Sequence, residues 1–129
     1  MKIQLDSWNI VELSFSALDK PRGEEDKKNT FSLKTGQHFF ADDKNKFTVF
    51  FDTSIADNHF DMSLKAVFIF STDAAIDEDF KISDFPKVNA PAIAFPYLRA
   101  YISNLTLQSG FEPVILPSIN FVQLAKDNS

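Results

Sequence analysis

Strand-type periodicity fills the first half of the sequence and helix-type periodicity the end, which predicts an α+β fold with helices on one face of an antiparallel sheet. Three observations carry this. From His59 to Ser71, Phe60, Met62, Leu64, Ala66, Phe68 and Phe70 alternate with Asp61, Ser63 and Lys65, the period-two pattern of a half-buried strand. From Pro91 to Ser109 the apolar residues Phe95, Leu98, Ile102 and Leu105 fall on one helical stripe, with Tyr101 at its margin. Phenylalanine occurs 15 times against three glycines, and Phe suits either a pleated core face or an adaptable apolar pocket.

In chain order, Lys2 to Leu18 reads as a long strand: Val11, Leu13, Phe15 and Ala17 alternate with Glu12, Ser14 and Ser16. Ile3 and Leu5 share that phase, but Trp8 and Ile10 break it, so either a bulge near Ser7–Asn9 or burial on both faces is expected. Asp19 to Asn29 is a charged loop punctuated by Pro21 and Gly23, expected to be solvated and mobile. Thr30 to Phe40 is a second strand, marked by Phe31, Leu33, His38 and Phe39, and Ala41–Lys46 is a turn. A third strand follows over Phe47–Ile55, with Phe47, Val49 and Phe51 on one face and Thr48 and Phe50 on the other. Ala56–Asn58 is a short hairpin turn of the kind Asp and Asn favour. The next strand turns apolar on both faces after Lys65, at Val67 and Ile69.

The segment "DAAIDEDFKISDF" is an acidic connector with room for one helical turn. The helix after it carries Pro96 near its start, as a first-turn residue or a kink, and Gly110 where a left-handed C-cap belongs. Its far face (Tyr97, Ala100, Ser103, Asn104, Leu107) is only mildly polar, which suits contact with a second subunit. Then comes "FEPVILPSINF", residues 111–121. Pro113 and Pro117 each remove a backbone donor and bias their predecessors toward extended backbone, yet Val114, Ile115 and Leu116 between them are core chemistry. Asn120 is placed to cap a short last helix to Lys126, with Phe121, Leu124 and Ala125 on its inner side.

The chain is one domain's worth at 129 residues, with an ordinary apolar share of 44% that speaks against global disorder. A net charge of −5 disfavours nucleic acid as a partner. The absence of cysteine excludes disulfides, thiol catalysis and cysteine-ligated zinc. No apolar run reaches the roughly 18 residues of a membrane span and Met1–Ile10 is not a secretory signal, so a cytoplasmic protein without membrane insertion is expected.

Chemistry is sparse. Asp57, His59 and Asp61 form the best metal candidate, and His59 and Asp61 share a strand face, but Asp57 is an ordinary turn residue and no spacing motif supplies a third or fourth ligand. His38 stands alone, Asp77–Asp79 reads as a solvated connector or helix-start charge, and Arg99 as the edge of a packed face. There is no phosphate-cradling glycine loop, nucleophile elbow or paired-histidine motif. Neither an enzyme, a metal nor any other cofactor is indicated.

Residues 93–125, "IAFPYLRAYISNLTLQSGFEPVILPSINFVQLA", resemble the SecB protein-export chaperone family. The likeness rests on Phe95, Pro96, Tyr97 and Arg99 at the helix start, Gly110 and Phe111 at the crossover, and Pro117, Asn120 and Phe121 at the last helix. Looser similarity covers "VELSFSA" (Val11–Ala17) and "AVFIF" (Ala66–Phe70). The resemblance implies a four-stranded antiparallel sheet followed by one long and one short helix packed on one face, in a homotetramer built as a dimer of dimers. It also implies a holdase that binds unfolded or pre-export polypeptides in an apolar groove formed by Phe111, Val114, Ile115, Leu116 and Phe121 with Phe68 and Phe70. Tyr97, Ala100, Asn104 and Leu107 would then lie at the oligomer interface. An acidic sheet face for the translocase motor SecA is represented by Glu12 and Asp61, whereas Ser16 replaces an acidic residue of the family. By the same resemblance, a chain ending at Ser129 would be expected to have a shorter last helix than the export chaperone and to be without its motor-binding tail. Two alternatives stay open: a chaperone dedicated to one partner such as an antitoxin, and an adaptor that binds one folded protein.

Overall fold

The structure, a computed structural model, describes residues 1–23 and 30–127. The second half of the charged loop expected to be mobile, residues 24–29, lies outside them. Four strands, β1 (Ile3–Ala17), β2 (Thr30–Phe39), β3 (Lys46–Ala56) and β4 (Phe60–Thr72), form one antiparallel sheet in the order β1-β4-β3-β2. This leaves β1 and β2 as edges. Successive strands β2, β3 and β4 are hairpin neighbours, and the chain reaches β2 from the opposite edge through the 18–29 connection.

The alternation read from β3 and β4 holds in three dimensions. Phe47, Val49 and Phe51 of β3 and Phe60, Met62, Leu64, Ala66, Phe68 and Phe70 of β4 are buried on one face. Cross-strand register places Phe47 against Phe70 and Phe51 against Ala66. The rings interlock: Phe68 stacks on Trp8 at 4.9 Å and meets Phe51 edge-on at 5.6 Å, while Phe47 stacks on Phe70 at 5.3 Å. Aromatic pairs of these geometries add to plain area burial.

β1 solves its phase problem with two irregularities instead of the single one expected. Register shifts fall between Leu5 and Ser7 and between Ile10 and Glu12. Each inserts one residue, so Ile3 and Leu5, then Trp8 and Ile10, then Leu13 and Phe15 all oppose buried residues of β4. Val11, the odd residue at the second bulge, is exposed, and its expected place on the inner face is thereby corrected.

The acidic connector contains α1 (Glu78–Lys81), whose first turn is closed by Asp77 accepting from the Phe80 amide at 2.8 Å. A π-helical turn, Phe85–Asn89, leads straight into α2 (Ala90–Gln108). The widened turn sits beside Pro91, whose ring cannot donate to the helical ladder. α2 begins one residue before the expected start and runs through Pro96, which lies with Ala92 on the exposed side of the helix. Its inner stripe, Phe95, Leu98 and Ile102, is buried on the sheet.

Gly110 ends α2 with φ of 95°, a backbone state costly for any residue with a Cβ. The amide of Phe111 donates to Thr106 O at 3.0 Å and that of Gly110 to Leu107 O at 3.1 Å, the paired bonds of a Schellman cap. The short α3 (Phe121–Asp127) is capped as expected: Asn120 Oδ1 accepts from the Gln123 amide at 3.1 Å. Two stability outcomes follow, both measured by urea unfolding. Phe68→Ala should cost about 3–5 kcal/mol through lost transfer energy and a residual cavity, and Gly110→Ala about 1–2 kcal/mol through left-handed strain.

Candidate functional site

After the cap the chain runs from Phe111 to Asn120 without helix or strand, along the ends of β2 and β3. In an extended segment alternate side chains face opposite ways, and residues 114–116 do so. Leu116 is only 2% exposed and Val114 half-buried, whereas Ile115 is 76% exposed. Between this segment and the sheet edge lies an open cleft of about 330 Å³. Its loop wall is Glu112 to Pro117, and its sheet wall is Thr30 and Phe31 of β2 with Ile55, Ala56 and Asp57 at the end of β3. Phe31 and Ile55 are register partners, so two apolar side chains share the floor. Among the described residues β2 has a strand neighbour on one side only, so its outer backbone groups border this region without a strand partner there.

A second cleft of about 550 Å³ lies across the loop, lined by Asp57, Asn58, His59, Phe60, Gly110, Phe111 and Glu112. Phe111 separates it from the core: the ring is half-buried and leans on Phe60 at 5.1 Å, on Phe15 at 5.8 Å and along His59 at 6.4 Å. Asp57 and Glu112 are common to both clefts, which gives their shared rim an acidic pair.

The residues expected to form one groove therefore divide by burial. Ile115 is at the surface, and Phe111 and Val114 are half-buried at its margins. Leu116 lines the cleft from within the core, and Phe121 is buried between Phe51 and Phe95 at 6.3 and 5.6 Å. Phe68 and Phe70 are wholly buried beneath the helix layer, so their placement in a groove is corrected to core. Phe31, Ile55, Asp57 and Glu112 join the site only through β2–β3 register and the approach of the crossover loop. A sequence reading confined to residues 111–121 misses them.

The other expected positions are exposed. Tyr97, Ala100, Asn104 and Leu107 lie on the outer face of α2, and with Ile93 they form a 4-3-4-3 seam, the spacing of a helix–helix contact. Glu12 and Asp61 lie on the outer sheet face, but each meets a cation. Lys65 Nζ is 3.6 Å from Glu12, and the Arg22 guanidinium grips both oxygens of Asp61 at 2.8 and 3.0 Å. Arg22 also donates to the carbonyl of Asp57. With Asp61 engaged this way and Asp57 Oδ2 accepting from the His59 amide at 3.0 Å, the carboxylates of the metal candidate serve the hairpin turn. Among the described residues no three acidic, His or Cys side chains converge as a metal site, and no helix is long and apolar enough to cross a membrane.

A four-stranded antiparallel sheet, a single long helix across one face and an extended crossover into a short helix are the architecture of SecB-like chaperones. The structure superposes on the Mycobacterium tuberculosis SecB-like chaperone solved with a ChAD peptide from the HigA1 antitoxin, with a TM-score of 0.71, 11% identity, and coverage of 91% of this chain and 90% of that one. It also superposes on a Streptococcus agalactiae protein of unknown function, with a TM-score of 0.60, 12% identity, and coverage of 92% and 98%. The family model described as preprotein translocase subunit SecB matches residues 1–129, and the chain belongs to that family of chaperones. Curated relatives include the protein-export protein SecB of Magnetococcus marinus, 25% identical over 89% of this chain and 76% of its own length. An uncharacterized protein of Methanocaldococcus jannaschii is also 25% identical, over 92% of this chain and 79% of its own.

The division by burial is directly testable by thermal melting. Ile115→Ser should leave the melting temperature within about 2 °C of wild type, since an exposed substitution away from special features changes stability by less than about 0.5 kcal/mol. Leu116→Ser should lower it by several degrees, through the loss of buried apolar area and the burial of a hydroxyl.

Proposed function

We propose that this protein is a holdase: it binds non-native polypeptide in the cleft between the β2 edge and the 112–117 loop and performs no chemistry on it. The observation that carries the reading is Ile115, a large aliphatic side chain held outward from a proline-flanked loop beside an open cleft floored by Phe31 and Ile55 and next to the β2 strand edge. Such a site selects for apolar area and extended backbone, which unfolded segments share and folded surfaces lack. Side chains of a bound segment enter the cleft while its backbone pairs with β2, the strand-addition mode of recognition. Family membership supports a chaperone, and the peptide-bound state of the structural relative supports a polypeptide occupant.

The same relative favours a second reading, a chaperone reserved for one partner such as an antitoxin. An adaptor for one folded protein is a third. Aggregation assays with several unrelated denatured proteins separate them. Suppression of all supports the holdase, retention of one unfolded chain supports the dedicated chaperone, and binding only to a folded partner refutes both. With a responsive client, Ile115→Ser should lose retention at a near-normal melting temperature; unchanged retention would place the groove elsewhere.

Work in the cytoplasm as a homotetramer completes the reading. The seam Ile93–Tyr97–Ala100–Asn104–Leu107 leaves Tyr97 51% and Leu107 55% exposed on one chain, and a symmetric helix contact would bury them. Light scattering at micromolar concentration should give about four times the 14.6 kDa chain mass, and Leu107→Asp should lower it. The pairing of Glu12 with Lys65 and of Asp61 with Arg22 disfavours docking of this sheet face on the translocase motor through acidic charge.

A further inference from the structure

Between Pro113 and Pro117 stand three aliphatic residues of similar hydrophobicity, and burial alone scarcely decides which of them faces inward. An extended segment that slips by one residue exchanges its two faces. Here Val114 and Leu116 point in and Ile115 points out, so something directional selects the register. Hydrogen bonds are directional, and this segment has few. Among the described residues, one backbone group between 112 and 119 makes a hydrogen bond: the Val114 amide, which donates to Thr106 Oγ1 at 2.9 Å.

Thr106 is built for this task. It lies in the last turns of α2, is wholly buried, and its hydroxyl donates back to the Ile102 carbonyl at 3.0 Å, with the Ser103 carbonyl at 3.1 Å. That orients the oxygen's lone pairs away from its own helix, toward the returning loop. The same residue's carbonyl accepts from Phe111 in the helix cap. One residue therefore ties the chain at Phe111 and again at Val114, and Gly110 at positive φ makes the reversal between α2 and these ties. Ser or Thr bonding to a carbonyl one turn back slightly weakens a helix, so nothing in α2 itself calls for a hydroxyl at 106. Its other partner is the loop.

We infer that Thr106 is a positioning residue for polypeptide binding: its hydroxyl fixes the register of residues 114–116 and so presents Ile115 to the occupant of the cleft. The inference rests on the holdase reading but is separable from it. Thr106→Val keeps the shape and removes the acceptor, while Thr106→Ser keeps the acceptor and removes a methyl. The probe is reduced, carboxymethylated α-lactalbumin, with its dissociation followed by a chase of unlabelled probe and amide exchange followed residue by residue.

Loss of one buried hydrogen bond should speed release about fivefold in Thr106→Val, with Thr106→Ser close to wild type. The Val114 amide should lose its protection in Thr106→Val alone, while the amides of α2 keep theirs. A purely structural role would instead lower the melting temperature without a selective change at Val114. Release from Thr106→Val at the wild-type rate overturns the inference and leaves the holdase reading standing. Wild-type protein that never retains the probe overturns the holdase reading, and the inference with it. If Thr106→Val fails to fold, the wild-type exchange rates decide. A Val114 amide about tenfold slower than those of Ile115 and Leu116 upholds the inference, and equal rates overturn it.

Discussion

Four strands spaced about 4.8 Å apart present a face wider than the roughly 10 Å girth of the single long helix laid across it. That mismatch governs the rest of the molecule. α2 seals the middle of the sheet, where the inner-face phenylalanines of β3 and β4 (Phe47, Phe51, Phe60, Phe68 and Phe70) are buried. At the flanks other parts must complete the cover. On the β2 side these are α1 and the π-helical turn, with Phe80 and Phe85 stacked at 5.7 Å and Phe80 on Phe47 at 5.5 Å, and beyond them α3 and the crossover loop. An aliphatic loop is thus required by geometry: Val114 and Leu116 close the margin of the sheet that the helix cannot reach. The β1 side has less cover, and its inner-face residues Trp8, Ile10 and Phe15 remain half-buried, with Leu13 more exposed still.

A cover made of extended chain differs in kind from one made of helix. A helix satisfies its own backbone, whereas an extended loop against a core must find partners for its donors elsewhere. Prolines at 113 and 117 remove two donors from that demand, and Thr106 meets a third. The loop is then held by a few points and remains open between them. Alternation forces one side chain of the triplet outward, and that residue is Ile115. Exposure of an aliphatic residue here follows from the same backbone geometry that seals the core next to it.

How much of this was legible depends on whether the signal was local. Alternation in β3 and β4 gave their buried faces residue by residue, and the α2 stripe, the Gly110 cap and the Asn120 cap were all readable because each is a short-range rule. β1 was half legible. A break in phase was evident, but two bulges that restore it look in sequence like one ambiguous region around Ser7–Asn9. The π-helical turn was missed because the connector was read to Phe85 and the helix only from Pro91, which left the residues between them, Pro86 included, without an assignment. Phe68 and Phe70 were placed in a groove by the family resemblance, and the alternation that puts both on the inner face does not show how deeply the helix layer buries them. Long-range register was invisible, so Phe31 and Ile55 could not be joined to the loop that lies above them.

Thr106 falls between these cases. It lies four residues after Ile102 on the buried side of the helix, so a hydroxyl there breaks the apolar pattern in a way the sequence does display. What the sequence does not display is the partner, because the Val114 amide arrives only after the chain has reversed at Gly110. A buried hydroxyl with a local acceptor and no evident second partner is ambiguous between a helix defect and an anchor. Only the path of the loop resolves it in favour of the anchor. The anchor in turn explains why a segment with one backbone hydrogen bond among the described residues holds a defined register beside an open cleft.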